Sequence, residues 1–491
     1  MSDGSALYKR PTLPVLSNGE RETLDTRTLE GIGGSLADVA QAPRVRIHDA
    51  VESAREEGFE TLQRYSIREL LEQVADAGRR FEGIGPVGTR AASSVDNARA
   101  LSPRRVYEER VARATGLPIG WVHVSAHWLG YGLRHAAETL RAQSPTSRLD
   151  VYDDPTYERE TTVGLAFAPR IRALGAVMSA NDPAVYAWPV LALAMEVPVV
   201  LRPLRRDPFT AVRLARALLA AGVPESAVHV LPGPRDVGET IVRENDHSLI
   251  FGGENTVAEY QDNPAVEAYG PGRSIAIVAR QPTERELDTL ARGITRAGGR
   301  TCYNLSRIVA VEDCDADALA DALARRVVKV TGGPVTDPET DVPSFLDPEY
   351  AQRVVERAAD AGEDVTERYR DGPRYTTHDS CNMGRDGGSP ASCARLAPMV
   401  VRTAALVEER PFQFAGVIRR DPTGPRDLLS EFERAYLGTV VGSDRYERAF
   451  AHSPHVRKVH GGAYPPALDL RETHETYLAD FCYTTATYDP S

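Results

Sequence analysis

Lysine is almost missing: Lys9, Lys329 and Lys458 are the only three in 491 residues, so arginine supplies nearly all positive charge and any anion-binding task falls to guanidinium groups. Positive charge is also in deficit. The 58 Lys+Arg stand against 70 Asp+Glu, a net charge of −12 that argues against a nucleic-acid partner or attraction to anionic membranes, though it leaves room for a local basic site. Long apolar runs are lacking. The best candidate, Val190–Leu201, is interrupted by Met195 and Glu196 and is too short to cross a hydrocarbon core of about 30 Å, so no membrane insertion is expected. The start, Met1-Ser-Asp-Gly4, has neither the basic nor the apolar region of a signal peptide, and a cytoplasmic location is expected. The cysteines (Cys302, Cys314, Cys381, Cys393 and Cys482) are scattered with no C-x2-C pair, which indicates neither a disulfide scaffold nor a structural metal site. A GxGxxG fingerprint between a strand and a helix is missing too, so a conventional dinucleotide-binding turn is not indicated.

What is present has the texture of an α/β protein. At about 150 residues per domain the length suggests roughly three units. Residues 1–115 read as an extended and helical lead-in, with a short strand near Val45–His48 and helices at Ala50–Gln63, Ser66–Arg80 and Ser102–Thr115. In residues 116–269, short apolar strands alternate with helices, the pattern of βαβ units in a parallel sheet covered on both faces. Within them Arg148–Asp153 and Thr161–Phe167 are expected to pair as a hairpin (148–167). A second α/β unit covers 270–450, with an insertion at Thr331–Pro390 and a helix over Pro425–Tyr436. Residues 451–491 end in the β-rich segment Phe481–Tyr488.

Parallel sheets hold ligands at the carboxyl ends of their strands. Here those ends are Ser179-Ala-Asn181, Arg202-Pro-Leu-Arg205, Pro232-Gly233 and Gly252-Gly253, a series suited to a nucleotide. Cys302 stands in Gly298-Gly-Arg-Thr-Cys302 between a helix and a strand, where a thiol is a good nucleophile if nearby arginine or backbone amides lower its pKa. Asn181 follows a strand, and its amide NH2 suits a developing oxyanion.

The ordered series Gly175-Ala-Val-Met-Ser-Ala-Asn-Asp-Pro183, Val199-Val-Leu-Arg-Pro-Leu-Arg205, Val228-His-Val-Leu-Pro-Gly233, Ser248-Leu-Ile-Phe-Gly-Gly253, Gly270-Pro-Gly-Arg-Ser274, Gly299-Arg-Thr-Cys302 and Glu408-Glu-Arg-Pro-Phe412 resembles the aldehyde dehydrogenase superfamily over about residues 116–440. The N-terminal hundred residues are more similar to acyl-CoA reductases of fatty-aldehyde synthesis. The resemblance implies a Rossmann-like nucleotide-binding domain (116–269), a catalytic cysteine domain (270–450) and a β oligomerisation element. It implies Cys302 as nucleophile, with Asn181 and the Cys302 N–H as oxyanion donors. Ser179, Arg202, Arg205, Arg206, Gly233, Gly252, Gly253 and either Glu408 or Glu409 fall at the cofactor.

Hydrolytic members carry a glutamate where this chain reads Ala268-Tyr-Gly-Pro-Gly-Arg273, and Glu267 is one residue out of register. That absence leads to the expectation of an NAD(P)H-dependent reductase that converts an acyl-CoA or carrier-protein thioester to an aldehyde through a Cys302 acyl-enzyme. The alternatives are a hydrolytic aldehyde dehydrogenase using another base, and a non-catalytic assembly partner. Arg205 at the position of the family's ribose-binding acid, with Arg202 and Arg206, favours NADPH over NADH. The terminal segment predicts a homodimer or dimer-based tetramer.

Overall fold

The computed structural model describes residues 10–84, 103–154, 156–158, 164–179, 181–378, 392–432, 434–464 and 476–488. Cys381, the first nine residues, residues 379–390 of the insertion and 161–163 of the hairpin lie outside them. Two seven-stranded sheets dominate. The first runs in the order Val266–Tyr269, His247–Phe251, Leu174–Val177, Val199–Arg202, Val228–Val230, Val15–Leu16, Glu20–Arg21. Its first five strands are parallel, and Val15–Leu16 joins antiparallel to Val228–Val230. The lead-in therefore completes this sheet.

The second sheet has the order Glu363–Asp364, Met399–Arg402, Phe414–Arg419, Arg307–Ala310, Ile275–Val278, Ala435–Val441, Val456–Gly461, parallel except at Glu363–Asp364. Central strands such as Val199–Arg202 and Ile275–Val278 are buried at every position, which is why their sequences are continuous apolar runs rather than alternating ones.

Tyr483–Tyr488 pairs antiparallel with Gly164–Pro169 of its own chain, and Thr156–Glu158 completes that three-stranded sheet. Phe481 stacks on His247 at 4.6 Å, and the Tyr483 hydroxyl donates to the Met195 carbonyl at 2.7 Å. The C-terminus is thereby built into the first domain's core.

Several local expectations are corrected. Val45–His48 is not a strand but lies in the helix Arg44–Ser53, where Ile47, Ala50 and Val51 share the buried face and Val45 is exposed. Arg148–Asp153 is a turn region, and the hairpin partner of Gly164–Pro169 is Thr156–Glu158. The helix expected over Pro425–Tyr436 stops at Ser430, because Ala435–Val441 is drawn into the second sheet beside Ile275–Val278. Cys302, Cys314 and Cys482 are free thiols and Cys393 is disulfide-bonded, a single bond rather than a disulfide scaffold.

Candidate active site

The cysteine loop is fixed from both ends. Thr283 and Glu286 form a reciprocal cap that starts the helix Glu284–Thr295. Beyond it Ala297, Gly298 and Gly299 all have positive φ (54°, 65° and 76°) and reverse the chain. Asn304 then ties the loop down: its Oδ1 accepts from Thr301 N at 2.8 Å and its Nδ2 donates to the Arg296 carbonyl at 2.7 Å. Ser274 Oγ donates to the Cys302 carbonyl at 2.6 Å, and a Cβ at Gly272 would fall 2.5 Å from the Cys302 Cα. Only glycine fits there.

Arg300 does not sit over the thiol. Its guanidinium donates to the carbonyls of Pro411, Thr115 and Ser344 at 3.0–3.1 Å and stacks over Phe345, pinning the loop to the segments on either side. The expectation that an adjacent arginine lowers the thiol pKa is therefore corrected. Burial pushes the Cys302 thiol up, Glu409 and Asp182 add to the rise, and Lys458 opposes it.

Cys302 opens onto a cavity of about 790 Å³ between the two sheets. Asn181, on the facing domain, lines it and donates from Nδ2 to the Arg300 carbonyl at 3.0 Å, while its Oδ1 accepts from Ser179 Oγ. Of the residues singled out from sequence, the cavity unites Cys302, Asn181, Ser179, Arg206, Gly252, Gly253 and Glu409. Arg205 and Gly233 instead line a smaller cleft with Arg27 and Gln41, joined to the first through Leu204. Arg202 is buried, with Nη2 on the Gly233 carbonyl at 3.1 Å and Nε lacking a partner among the described residues. Glu408 is exposed and pairs with Arg410 at 2.7 Å, so Glu409 is the one of the two that reaches the cavity.

Sequence reasoning missed the wall formed by Tyr303, Tyr436 and Lys458. The Tyr436 hydroxyl donates to Tyr303 Oη at 2.9 Å, and Lys458 Nζ donates to the same oxygen at 3.3 Å. The scarcity of lysine was the one available signal. Arg27 was also missed, because nothing in its own segment sets it apart; Arg205 and Arg206 both depress its pKa, after burial. Among the described residues no group of three or more His, Cys, Asp or Glu could hold a metal ion, and no helix is long and apolar enough to cross a membrane.

Two facing α/β units, a cysteine loop on one and an asparagine turn on the other, and a three-stranded extension that includes the terminal strand define the aldehyde dehydrogenase superfamily fold, as the sequence led one to expect. The aldehyde dehydrogenase family model matches residues 174–382. The chain is 30% identical over 194 residues to an α-ketoglutarate semialdehyde dehydrogenase of Haloferax volcanii, covering 37% of this chain and 38% of that protein. It is 30% identical over 154 residues to a malonate-semialdehyde dehydrogenase of Halalkalibacterium halodurans, covering 29% and 31%. The chain thus matches less than two-fifths of the length of these curated relatives. Among solved structures, a γ-glutamyl-γ-aminobutyraldehyde dehydrogenase from Burkholderia cenocepacia superposes with a TM-score of 0.76 at 18% identity, over 97% of this chain and 96% of that one.

These findings overturn the acyl-thioester reductase expectation and the placing of the chain nearest the acyl-CoA reductases. The likeness is to oxidative aldehyde and semialdehyde dehydrogenases. With that expectation go acyl-CoA and carrier-protein thioesters as partners. The physical reason lies in the cavity. The stretch Ala268–Arg273 carries no acid, but Asp182, Asp347 and Glu409 reach the same space from other segments. Glu267, the base first considered, is not among the residues lining it and has Arg434 and Arg457 as its cationic neighbours.

Proposed function

We propose that this chain oxidises an aldehyde to a carboxylic acid with NAD(P)⁺, through a thioester on Cys302 that water then cleaves. The observation that carries the reading is the single cavity joining Cys302 and Asn181 to Ser179, Gly252, Gly253 and Arg206. Cys302 as thiolate attacks the aldehyde carbon. The second Nδ2–H of Asn181 and the Cys302 N–H donate to the developing oxyanion, the type of contact worth several kcal/mol in a transition state.

The residues present fit a dinucleotide. Among the described residues Arg202 offers a buried Nε without a partner, and a Cβ at Gly253 would meet nothing within 4 Å, leaving the backbone open to close approach. Ser179, Arg202, Arg206, Gly233, Gly252 and Gly253 would hold it; bound oxidised nicotinamide supplies a hydride acceptor. Arg27 and Arg205 line the smaller cleft, and Arg206, on the wall of the larger cavity, lies close enough to act on Arg27 by charge; this cluster supports NADP over NAD because guanidinium groups pair strongly with a 2′-phosphate and weakly with a hydroxyl. The outer edge of Tyr483–Tyr488 has no strand partner among the described residues, which supports a homodimer or dimer-based tetramer.

The test is to incubate aldehyde with oxidised cofactor and no added thiol. Repeated turnover to free acid, abolished in Cys302→Ala, is expected. Turnover that begins only when a thiol acceptor is supplied would reject the hydrolytic reading.

A further inference from the structure

Cleaving an acyl-cysteine with water needs a group that takes a proton from the water. The loop at which the resemblance implies that group, Ala268–Arg273, carries no carboxylate. Three carboxylates line the cavity, and two are committed to holding the fold. Asp182 accepts from Ser125 Oγ and from Ala184 N at 3.0 Å, closing the turn after Asn181. Asp347 accepts from Tyr350 N at 2.9 Å and caps the helix Pro348–Ala359.

Glu409 is placed differently. Its Oε2 accepts from Arg273 N at 2.9 Å and its carboxylate also accepts from the Gly272 N–H, so it is anchored on the loop that lies against the Cys302 backbone. Those two bonds orient the carboxylate and leave lone pairs toward the cavity. It is also close enough to the thiol for its charge to raise the Cys302 pKa.

We infer that Glu409, reaching the cavity from the segment before Phe412, is the general base that activates water for release of the acid, in place of the ribose-orienting role the resemblance implies. This rests on the aldehyde-oxidising reading above. The Glu409 carboxylate takes one proton from water as the water oxygen bonds to the acyl carbon. The tetrahedral adduct collapses with cleavage of the C–S bond, the sulfur leaves as thiolate and takes up the proton held by Glu409, and acyl-cysteine plus water becomes free acid plus Cys302 thiol. Burial pushes the carboxyl up to about 7, opposed by the N–H groups of Arg273 and Gly272 and the Arg307 guanidinium, which is the range where a base works near neutrality. The other ionisable groups lining the cavity are Cys302, Tyr303, Tyr436, Lys458, Asp182, Asp347, Tyr350, Arg206, Arg300 and Tyr269.

Stopped-flow measurement of reduced cofactor, with succinate semialdehyde and hexanal as probes, separates acylation from acid release. Glu409→Gln should keep a burst of about one equivalent per Cys302 and an unchanged dissociation constant for reduced cofactor, while the steady rate falls on the order of 100-fold. Added 2-mercaptoethanol should restore turnover and yield a thioester. Glu409→Asp should recover part of the loss, and the wild-type rise of kcat through pH 7 should vanish in Glu409→Gln. A Glu409→Gln protein with wild-type steady rate overturns the inference, as does one that loses its burst together with cofactor affinity. If wild-type protein reduces no cofactor with either aldehyde, the dehydrogenase reading itself fails, and the inference with it.

Discussion

Gly272 lies directly against Cys302: its Cα approaches so closely that a side chain there would overlap the Cys302 carbonyl and come within 2.5 Å of its Cα. Gly272 is not in a left-handed conformation, so the requirement for glycine is one of space alone. Ser274 Oγ on the Cys302 carbonyl joins the same two loops, and the Gly272 carbonyl, accepting from Tyr436 N at 2.7 Å, ties them to the strand Ala435–Val441. Position 272 therefore sets how far Cys302 stands from the strand Ala435–Val441.

Gly272→Ala should consequently damage chemistry more than folding. Overpacking of this kind costs about 1–3 kcal/mol, which a chain of this size absorbs, but the displaced thiol should lower the burst rate at least tenfold. Thermal unfolding and burst kinetics measured on the same sample check this. A variant with unchanged burst would show that the loop yields without moving the sulfur.

Lys458 is the cation that favours the Cys302 thiolate, against burial, Glu409 and Asp182. Lys458→Met keeps most of the apolar stem and removes the charge. Alkylation of Cys302 by iodoacetamide at pH 8 should slow several-fold, with Cys302→Ala as the unreacted control. Equal rates would mean that Lys458 supports Tyr303 and Tyr436 without tuning the thiol.

The likeness of the fold was legible because continuous apolar strands such as Val199–Arg202 and Ile275–Val278 mark a parallel sheet, and because the site loops follow them in order. The carboxylates of the cavity were not legible, because the stretch Ala268–Arg273 carries none and those that line the cavity come from other segments. Glu409, Lys458 and Tyr436 lie more than 100 residues from Cys302: Tyr436 and Lys458 meet it because the sheet order sets Ala435–Val441 next to Ile275–Val278 and Val456–Gly461 next to that, and Glu409 comes from the segment between Met399–Arg402 and Phe414–Arg419. Residue spacing carries no trace of such an arrangement. Val45–His48 failed for a local reason: Val-Arg-Ile-His alternates like a strand, but the buried set Ile47, Ala50 and Val51 has helical spacing.

Cofactor choice should depend on residues from two distant segments. Arg27 lies on the strand Thr26–Gly31 and Arg205 follows the strand Val199–Arg202, and both line the smaller cleft. Arg205→Glu and Arg27→Glu should each reduce kcat/KM for NADP⁺ by tenfold or more and change it little for NAD⁺. The NADP⁺ advantage should also shrink with rising salt, since surface charge pairs are screened. Identical ratios in wild type and both variants would reject a phosphate site there.

His229 couples stability to pH. It is fully buried: Nε2 donates to the Ser226 carbonyl at 2.9 Å, so Nδ1 accepts from Ser17 Oγ at 3.1 Å, and the neutral ring links the N-terminal strand Val15–Leu16 to the first sheet. Burial lowers its pKa from the ordinary 6.5 to about 4. The unfolded chain therefore binds a proton below pH 6.5 that the folded chain refuses until about pH 4, and the stabilisation by the neutral ring is complete above 6.5 and lost progressively as pH falls through that window. Asp207 and Glu196, raised by burial to about 6 and about 7, give the opposite slope, favouring the fold as pH falls. Total stability measured alone would mix these with the contributions of other perturbed groups, among them His247, lowered by burial to about 4, and Glu409, raised to about 7. The difference between wild type and His229→Gln isolates one: the variant is less stable at pH 7.5, having lost ring packing, but its urea midpoint should fall less between pH 7 and pH 5 than that of wild type. Parallel midpoints across that range would show that His229 is protonated equally in both states and contributes nothing to acid sensitivity.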